Sequence, residues 1–342
     1  MNIHEYLEAN KVFKIVDNSE IAGGLKAMEQ LAEFIEVVQR EATILNEARM
    51  ERMKSYQKEI AAIDMPTGYL YPGRITVSGG QEVKVIPGET ENVDDFSLSG
   101  YIQQNMLNAK EFVLRAVIDY DTLEDTIEGP RFEDRIVRML GESASLDLER
   151  AFVFGDTDLA TSSPPLILKA TDGWVKLAGN TVYGYQHNST PADFDPSAAD
   201  FPMNMFDAML EAIDKKYLIQ RGDVRFYVDW ETHRAYRDQV AARETVIGDE
   251  ALLGQRQLTF DGIPVVHVPT LDDATATAHV GRVAMLSRPN NMVWGVYREI
   301  TVESQKIPSA RRVEHVLSMR ADCTYADVNG AVVAKIEAPT AS

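Results

Sequence analysis

The sequence predicts an α+β protein in which one unusually long helix lies between two regions of short strands. Residues 129–158 begin with Gly-Pro and continue with apolar residues at every fourth position. That spacing places the apolar side chains on one face of an α-helix. On both sides of this segment, short runs of alternating or β-branched residues are separated by Gly, Pro and Asn, which is typical of strands joined by turns.

The long helix is predicted over residues 130–154, because a start signal and a stop signal bound the apolar repeat. Pro130 suits the first helical turn, where its missing N–H is not needed, and Gly155 is typical just after a helix C-terminus. Such a helix spans roughly 37 Å at about 1.5 Å per residue. We expect another layer to cover its apolar face, which is formed by Phe132, Ile136, Leu140, Leu148 and Phe152.

The N-terminal region favours helix. Residues 1–65 contain no proline and are rich in Glu, Ala, Met and Leu, and Gly23-Gly24 marks a break. Apolar positions from Leu25 to Ile63 have helical spacing and predict an interrupted amphipathic helix. The spacing leaves two interpretations open: a helix folded onto its own domain, or an arm packed on a neighbouring subunit.

A β-hairpin is predicted next. Two alternating runs, residues 74–77 and 82–86, flank Ser78-Gly79-Gly80. A hairpin with so few large apolar residues is marginal in isolation, so we expect it to rest on another surface.

The rest of the chain alternates helices and strands without an internal repeat. We predict a strand at about 111–120, and a helix after residue 202 with Phe206, Met209, Leu210 and Ile213 on one face. A strand over 224–228 then runs into a helix. Further strands follow within 258–271 and 281–304, and two more lie between residues 312 and 336.

Composition disfavours several classes of function. The chain carries 34 Lys and Arg against 53 Asp and Glu, a net charge of −19, which repels nucleic acid phosphates. No apolar run of membrane-spanning length and no basic-apolar leader is present, so we expect neither a membrane span nor secretion. The single cysteine, Cys323, excludes an internal disulfide and suits a reducing compartment.

The sequence contains none of the common catalytic or metal-binding motifs. The phosphate-loop, dinucleotide-binding, nucleophile-elbow and zinc-protease patterns do not occur, and the six histidines lack metal-ligand spacing. Cys323 is expected to act as a small buried hydrophobe. Asp156 and Asp158 are expected to flank a turn after the long helix rather than to bind a cation. We therefore predict no catalytic residues, no cofactor and no metal.

Four stretches, in order, carry a family resemblance. They are "TLEDTIEGPRFEDRIVRMLGESASLDLERAFVFGD", "FDAMLEAIDKKY" followed by "RFYVDWETHRAYRDQ", "DEALLGQRQLTFDGIPVVHVPTL", and "SRPNNMVWGVYREITVES". Together they resemble the major capsid proteins of tailed phages, which have the Hong Kong 97-type fold. The first stretch looks like the spine-helix region of that family and closes on "ER-x-hydrophobic-x-x-G-D". The resemblance covers roughly residues 68–337.

The resemblance implies a domain organisation and a set of contact residues. The hairpin would lie across a neighbouring subunit through Arg74, Gly79, Gly80 and Lys84, while the long helix would be the strut of the subunit. The implied divisions are an N-terminal arm (1–66), an extended E-loop (67–109), a P-domain with the spine helix 130–154 (110–221), an A-domain (222–320), and C-terminal P-domain strands with a tail (321–342).

The implied function is structural. The chain would self-assemble as hexamers and pentamers into the icosahedral head of a tailed phage and enclose double-stranded DNA without sequence-specific binding. Scaffolding, portal and decoration proteins are the implied partners, and the protein would be in the virion after assembly in the host cytoplasm. The short arm leaves open whether a separate scaffold is used. Lys84 is not assigned any cross-linking chemistry.

Three alternatives remain at this point. An encapsulin-like nanocompartment shell shares the fold and would hold cargo proteins instead of DNA. A soluble α/β hydrolase would need a nucleophile–base pair, which the sequence does not reveal. A tail or decoration protein is disfavoured by the spine-helix pattern.

Overall fold

The computed structural model describes residues 42–63, 74–76, 82–84, 102–119, 131–159, 165–242 and 258–340 of the 342-residue chain. These residues combine helices with β-sheets, which confirms the mixed α+β class. The chain divides into two compact units. The first, which we call the body, comprises residues 1–58 and 107–342, and the second comprises residues 59–106.

Strands and helices are numbered in chain order. The described strands are β1 (Arg49–Arg52), β2 (Gln57–Ile63), β3 (Arg74–Thr76), β4 (Glu82–Lys84), β5 (Ile102–Asn108), β6 (Lys110–Asp119), β7 (Asn180–Tyr183), β8 (Arg225–Val228), β9 (Thr259–Phe260), β10 (Ile263–His267), β11 (Val283–Ser287), β12 (Met292–Ile307), β13 (Arg312–Tyr325) and β14 (Ala331–Lys335). The described α-helices are α1 (Thr43–Glu47), α2 (Arg131–Phe154), α3 (Trp174–Leu177), α4 (Met203–Ala212), α5 (Trp230–Ala241) and α6 (Ala274–Val280).

A four-stranded sheet in the order β1-β12-β13-β6 forms one layer of the body. β12 and β13 make a long antiparallel ribbon, β6 pairs antiparallel with β13, and β1 pairs parallel with β12. Residues along β6 alternate between half-buried and exposed, because one face of this strand packs on the core while the other faces solvent.

A six-stranded sheet in the order β7-β14-β11-β8-β10-β9 forms the second layer. Its central strands are buried on both faces, as is typical of a sheet covered by other elements on each side. Tyr227, Met285 and Val333 belong to the core that includes α2, whereas Phe226 and Leu286 belong to the core that includes α4. The body therefore has two adjoining hydrophobic cores.

The long helix is present as α2, one residue from its predicted start and with its predicted end. The helix at Met203–Ala212, the strand into helix at Arg225–Ala241, and the strands predicted after residue 258 are confirmed as well. In the second unit, β3 and β4 pair antiparallel with Arg74 opposite Lys84, which confirms the predicted hairpin. β2 and β5 form a separate two-stranded sheet.

The prediction of a helix extending to Ile63 is wrong for residues 48–63. Within residues 42–63, which the structure describes, only Thr43–Glu47 is helical, and β1 and β2 follow it. The physical reason is tertiary: Met50 packs against the body core and β1 extends the edge of β12, and this pairing overrides helix propensity. The helical positions predicted before residue 42 lie outside the described residues.

The strands of the C-terminal half of the chain are shared between the two sheets. The expected boundary at residues 320 and 321 lies inside β13. β12 and β13 join β6 in the four-stranded sheet, while β14 joins β11 and β7 in the six-stranded sheet. The C-terminal half of the chain thus crosses between the two layers.

Candidate functional site

The end of α2 and the two residues after it, residues 149–156, join several elements of the body; we call this segment the spine-helix end. Their sequence is ERAFVFGD, the stretch that carries the "ER-x-hydrophobic-x-x-G-D" pattern. Ala151 and Phe152 are completely buried. The contacts of this segment explain why each kind of residue stands at its position.

Phe152 provides the apolar centre. Its ring lies 6.2 Å from that of Phe112, 6.0 Å from that of Trp174 and 6.4 Å from that of Trp294, measured between centroids. The first two contacts are edge-to-face, a geometry that aromatic pairs favour. One side chain thereby connects β6, α3 and β12.

Gly155 is required by close backbone packing. A Cβ at this position would lie 2.3 Å from the carbonyl oxygens of both Ala151 and Thr171. The backbone here is hydrogen-bonded in both directions: the Gly155 N–H donates to Ala151 O at 2.9 Å, and the Gly173 N–H donates to Gly155 O at 2.8 Å. The predicted helix stop is correct, and its cause is the approach of a second chain segment.

Carboxylates after the helix surround a lysine. The ammonium of Lys176 lies 2.7 Å from oxygens of Asp156, Asp158 and Asp172. Burial by itself opposes the charge of Lys176, but the hydrogen bonds to the three carboxylates outweigh it and raise the pKa of the lysine. Asp156 also accepts a hydrogen bond from the Asp158 N–H at 2.9 Å, which confirms the expected turn. The cation beside these carboxylates is Lys176.

Glu149 is buried, with 1% of its surface exposed. One carboxylate oxygen accepts from the backbone N–H of Ile44 at 2.8 Å and from that of Leu45 at 3.2 Å. The other oxygen accepts from the hydroxyl of Thr270. Burial raises the pKa of Glu149, and these three hydrogen bonds oppose that rise.

Of the residues predicted to pack along the spine helix, Leu148 and Phe152 are buried and Leu140 is half-buried. Phe132 and Ile136 lie in α2, but their side chains are outside the described part of the structure. Among the hairpin residues, Arg74 and Lys84 are opposite one another in the β3–β4 register, whereas Gly79 and Gly80 fall outside the described residues.

Buried carboxylates are the residues that sequence reasoning missed. Asp322, on β13, accepts from the Asn108 N–H at 2.6 Å and from the Thr171 hydroxyl, and burial raises the pKa of its carboxyl. The signal for Glu149 in the sequence was an acidic residue directly after Leu148 and three residues before Phe152, both of which lie on the predicted apolar face of the helix. Neither position reveals its partners, which are more than 100 residues away along the chain.

Cys323 is buried, and burial raises the pKa of its thiol well above the ordinary value. Its environment is that of a small core side chain, as predicted. Within the described residues, no group of three or more His, Cys, Asp or Glu side chains is placed to hold a metal ion. No helix in the same part of the chain is long and apolar enough to cross a membrane.

One curated protein matches nearly the whole chain. It is YqbE of Bacillus subtilis (strain 168), named as a prophage capsid protein, with 28% identity over 320 residues, or 92% of this chain and 93% of the relative. No family model matches the sequence.

Solved structures share the fold at low sequence identity. A chain from the procapsid of satellite phage P4, a structure that includes the size determination (Sid) protein, aligns with a TM-score of 0.58 at 17% identity and covers 89% of this chain and 98% of its own. A chain from Mycobacterium phage Che8 aligns with a TM-score of 0.56 at 14% identity and covers 86% and 91%. A capsid chain of an empty GTA particle gives a TM-score of 0.52 at 13% identity over 99% and 100%.

These structural relatives establish the fold, and the sequence relative establishes the kind of protein. The sequence alignment and the structural alignments each extend over most of the two chains that they compare. The chain is therefore a structural capsid protein of a phage head, with the Hong Kong 97-like fold of phage capsids.

Proposed function

We propose that this chain is the repeating subunit of an icosahedral shell that is built from hexamers and pentamers and encloses the double-stranded DNA of a tailed phage. The observation that carries the proposal is the match to a prophage capsid protein over 92% of the chain. The structural relatives that are named as a procapsid and as a capsid are assembled shells, which supports self-assembly here. Repeated ring interfaces then close the shell by symmetry.

Residues 67–109, most of which belong to the second unit, are proposed to be the E-loop, which contacts a neighbouring subunit. The compactness of the second unit supports this assignment, as does the size of its strands, since β3 and β4 contain three residues each. So short a pairing is marginal without a further surface. The cationic residues Arg74 and Lys84 are opposite one another, a pairing that destabilises an isolated hairpin. We propose that these two residues, with Gly79 and Gly80, contact the neighbour.

The body is proposed to be the rigid part of the subunit, with α2 as its strut. Leu148 and Phe152 belong to the hydrophobic core that connects α2 to both sheets. Residues 1–66 are proposed as the arm, and residues 110–221, 222–320 and 321–342 as the P-domain, the A-domain and the C-terminal strands. The pairing of β12 and β13 with β6 supports the proposal that strands from the later part of the chain return to the layer of β6.

The proposed role is mechanical and involves no catalysis or cofactor. The net charge of −19 supports an inner wall to which packaged DNA does not adhere. We propose that the protein resides in the virion, that it assembles in the host cytoplasm, and that scaffolding, portal and decoration proteins assist it. A structure of the particle with a basic inner surface would remove the argument from charge.

Electron microscopy of the purified full-length protein, with analytical ultracentrifugation, tests the proposal. Closed shells, or rings of five and six subunits, are expected either for the chain alone or with the gene products encoded beside it. A dispersed monomer under both conditions would contradict self-assembly. Particles from infected or induced cells should contain DNA, and an enzyme cargo without DNA would instead establish a nanocompartment.

The proposed E-loop contact has its own variant test. The double variant Arg74→Glu, Lys84→Glu should leave the subunit folded but reduce the yield of particles at least tenfold, because the proposed contact loses and reverses two charges. The double variant Lys169→Glu, Lys215→Glu changes two exposed lysines of the body; it is the matched control and should assemble as the native chain does. Normal yield of the double variant would contradict the assignment of the contact.

A further inference from the structure

Residues 42–53 precede the second unit and lie against the body as a short helix followed by a short strand. We call this segment the latch. It contains α1, β1 and Met53, and residues 54–57, immediately after it, are exposed. Ala42, Ile44 and Leu45 are at most 1% exposed, so the segment is seated in the body.

The first anchor of the latch is Glu149 in α2. Its carboxylate accepts the N–H groups of Ile44 and Leu45, which are the second and third residues of α1. Ala42, at the N-cap position, makes no side-chain cap hydrogen bond. A helix of five residues is unstable alone, so its free N–H groups depend on a partner from outside the segment.

The second anchor uses a carboxylate of the latch itself. Glu47, the last residue of α1, pairs with the guanidinium of Arg225 and accepts from the hydroxyl of Tyr227 at 2.8 Å. Both partners are on β8, in the interior of the six-stranded sheet. The two anchors therefore connect α1 to α2 on one side and to β8 on the other.

The third attachment is along the edge of the four-stranded sheet. β1 pairs parallel with β12 over residues 49–52, and the Met53 N–H donates to Val296 O at 2.9 Å. Gly295 admits the Met53 side chain, since a Cβ there would lie 2.8 Å from its sulfur. β1 has a partner on one side only within the described residues, so the pairing of β12 with β13 does not include it.

The contacts of residues 42–53 allow this segment to separate from the body without loss of the body's other strand pairings. Every strand pairing of β13, β6 and the six-stranded sheet remains if residues 42–53 leave. The latch itself cannot keep its structure once detached, because a five-residue helix and a four-residue strand are both too short.

We propose that residues 42–53 detach from an otherwise folded body (opening) and return to it (closing) as one unit. The carboxylate of Glu149, which we call the catch, is the contact that holds them in place. Closing covers the core beside α2. This is a property of the single subunit and goes beyond the proposed function. It is independent of shell assembly, so failure of either proposal leaves the other standing.

Native-state hydrogen–deuterium exchange of the full-length, unassembled chain tests the latch, with peptides resolved by mass spectrometry over a series of low denaturant concentrations. Amides of residues 43–53 should exchange by an opening with a small denaturant dependence, whereas amides of β11 and β13 should require global unfolding. Equal protection and equal denaturant dependence in the two regions would overturn the proposal, since the segment would then be ordinary core.

Variants of Glu149 test the catch. Glu149→Ala should speed exchange in residues 43–53 at least tenfold relative to exchange in β13, because two backbone donors lose their buried acceptor. Glu149→Gln keeps an acceptor oxygen and should stay within about threefold of the native chain. Glu142→Ala removes a half-buried glutamate two turns earlier in the same helix; it is the matched control and should leave this ratio unchanged.

A uniform acceleration across latch and body in Glu149→Ala would show that Glu149 supports the whole core, which contradicts its role as a catch. If Glu149→Ala does not fold, the comparison of the two regions in the native chain and in Glu149→Gln still decides whether the segment opens separately.

Discussion

The body and the second unit, residues 59–106, differ in how much of their structure they can stabilise themselves. The body buries side chains from two sheets and from α2, and its long strands have up to 16 residues. The described hairpin of the second unit consists of two strands, β3 and β4, that pair over only three residues each. Burial of apolar area is the main favourable term in folding, so the body has its own source of stability and this hairpin has little.

This difference teaches how a shell subunit can separate two requirements. Residues that determine the stability of the single chain are concentrated in the body, around Phe152. Residues proposed to determine assembly lie on the second unit, and we propose that this unit gains its stabilising surface from a neighbouring subunit. Mutations should therefore divide into those that unfold the subunit and those that leave it folded but unassembled.

The largest effect on stability is expected for Phe152→Ala. Its ring is completely buried against three other aromatic rings, and such truncations cost about 3–5 kcal/mol. Urea denaturation of the unassembled chain measures the change. Leu146→Ala, on the same helix but 47% exposed, is the control and should cost under about 1 kcal/mol. Equal losses in both variants would contradict the account of the core.

A smaller loss is expected for Lys176→Ala, about 1–3 kcal/mol, because three carboxylates lose the cation that neutralises them. Thermal denaturation of the variant and of the native chain measures the loss, and an unchanged melting temperature would contradict this account of the cluster. Lys169→Ala, at an exposed position seven residues earlier in the chain, is the control and should lose little.

The pH dependence of Glu149 is a subtler test. Burial raises its folded-state pKa above the ordinary value of 4.5. A raised pKa in the folded state means that the stabilisation from proton binding is complete below the ordinary pKa and is lost as pH rises through the raised one. The unfolding free energy of Glu149→Gln minus that of the native chain should therefore increase between about pH 4 and pH 7.

Glutamine also fits the site chemically. Its oxygen can accept from the N–H groups of Ile44 and Leu45, and its amide can donate to the hydroxyl of Thr270. Thermal melts of the two proteins across this pH range measure the difference. A difference that stays constant with pH would show that the pKa of Glu149 is not raised.

The smallest effect on subunit stability is expected for Arg74→Glu, within about 0.5 kcal/mol. The change replaces one of two opposed cationic residues by an anion, so the hairpin loses a repulsion, while the body is untouched. Denaturation of the unassembled chain should show no measurable shift. A loss comparable to that of Phe152→Ala would mean that the hairpin contributes to the core of its own subunit.

The sequence predicts the elements of the body better than their arrangement. α2 was predictable because an apolar repeat and two terminal signals agree. The passage from β8 into α5 was predictable because the apolar periodicity changes from that of a strand to that of a helix at this point. Residues 48–63 were predicted as helix and are extended, since pairing with a distant strand, β12, outweighs local propensity. The position of β14 between β7 and β11 in the six-stranded sheet likewise depends on contacts between distant residues, which no local sequence pattern reveals.

The spine-helix end was predictable in part. Phe152 and Gly155 follow from periodicity and from the stop signal, although the Gly155 position is fixed by the approach of the backbone at Thr171. Glu149 and Lys176 were not predictable, because a charged residue on a helix or in a loop is usually solvated. Their roles depend on residues that folding brings to them from elsewhere in the chain.

The most direct test of the division between the body and the second unit is the reactivity of a cysteine at the hairpin, before and after assembly. Lys84→Cys provides the reporter, and the native Cys323 is 2% exposed, so its background labelling should be low. With a maleimide probe, residue 84 should label rapidly in unassembled subunits and at least tenfold more slowly in purified particles. Equal labelling rates in subunits and particles would contradict the claim that the hairpin is covered by a neighbouring subunit.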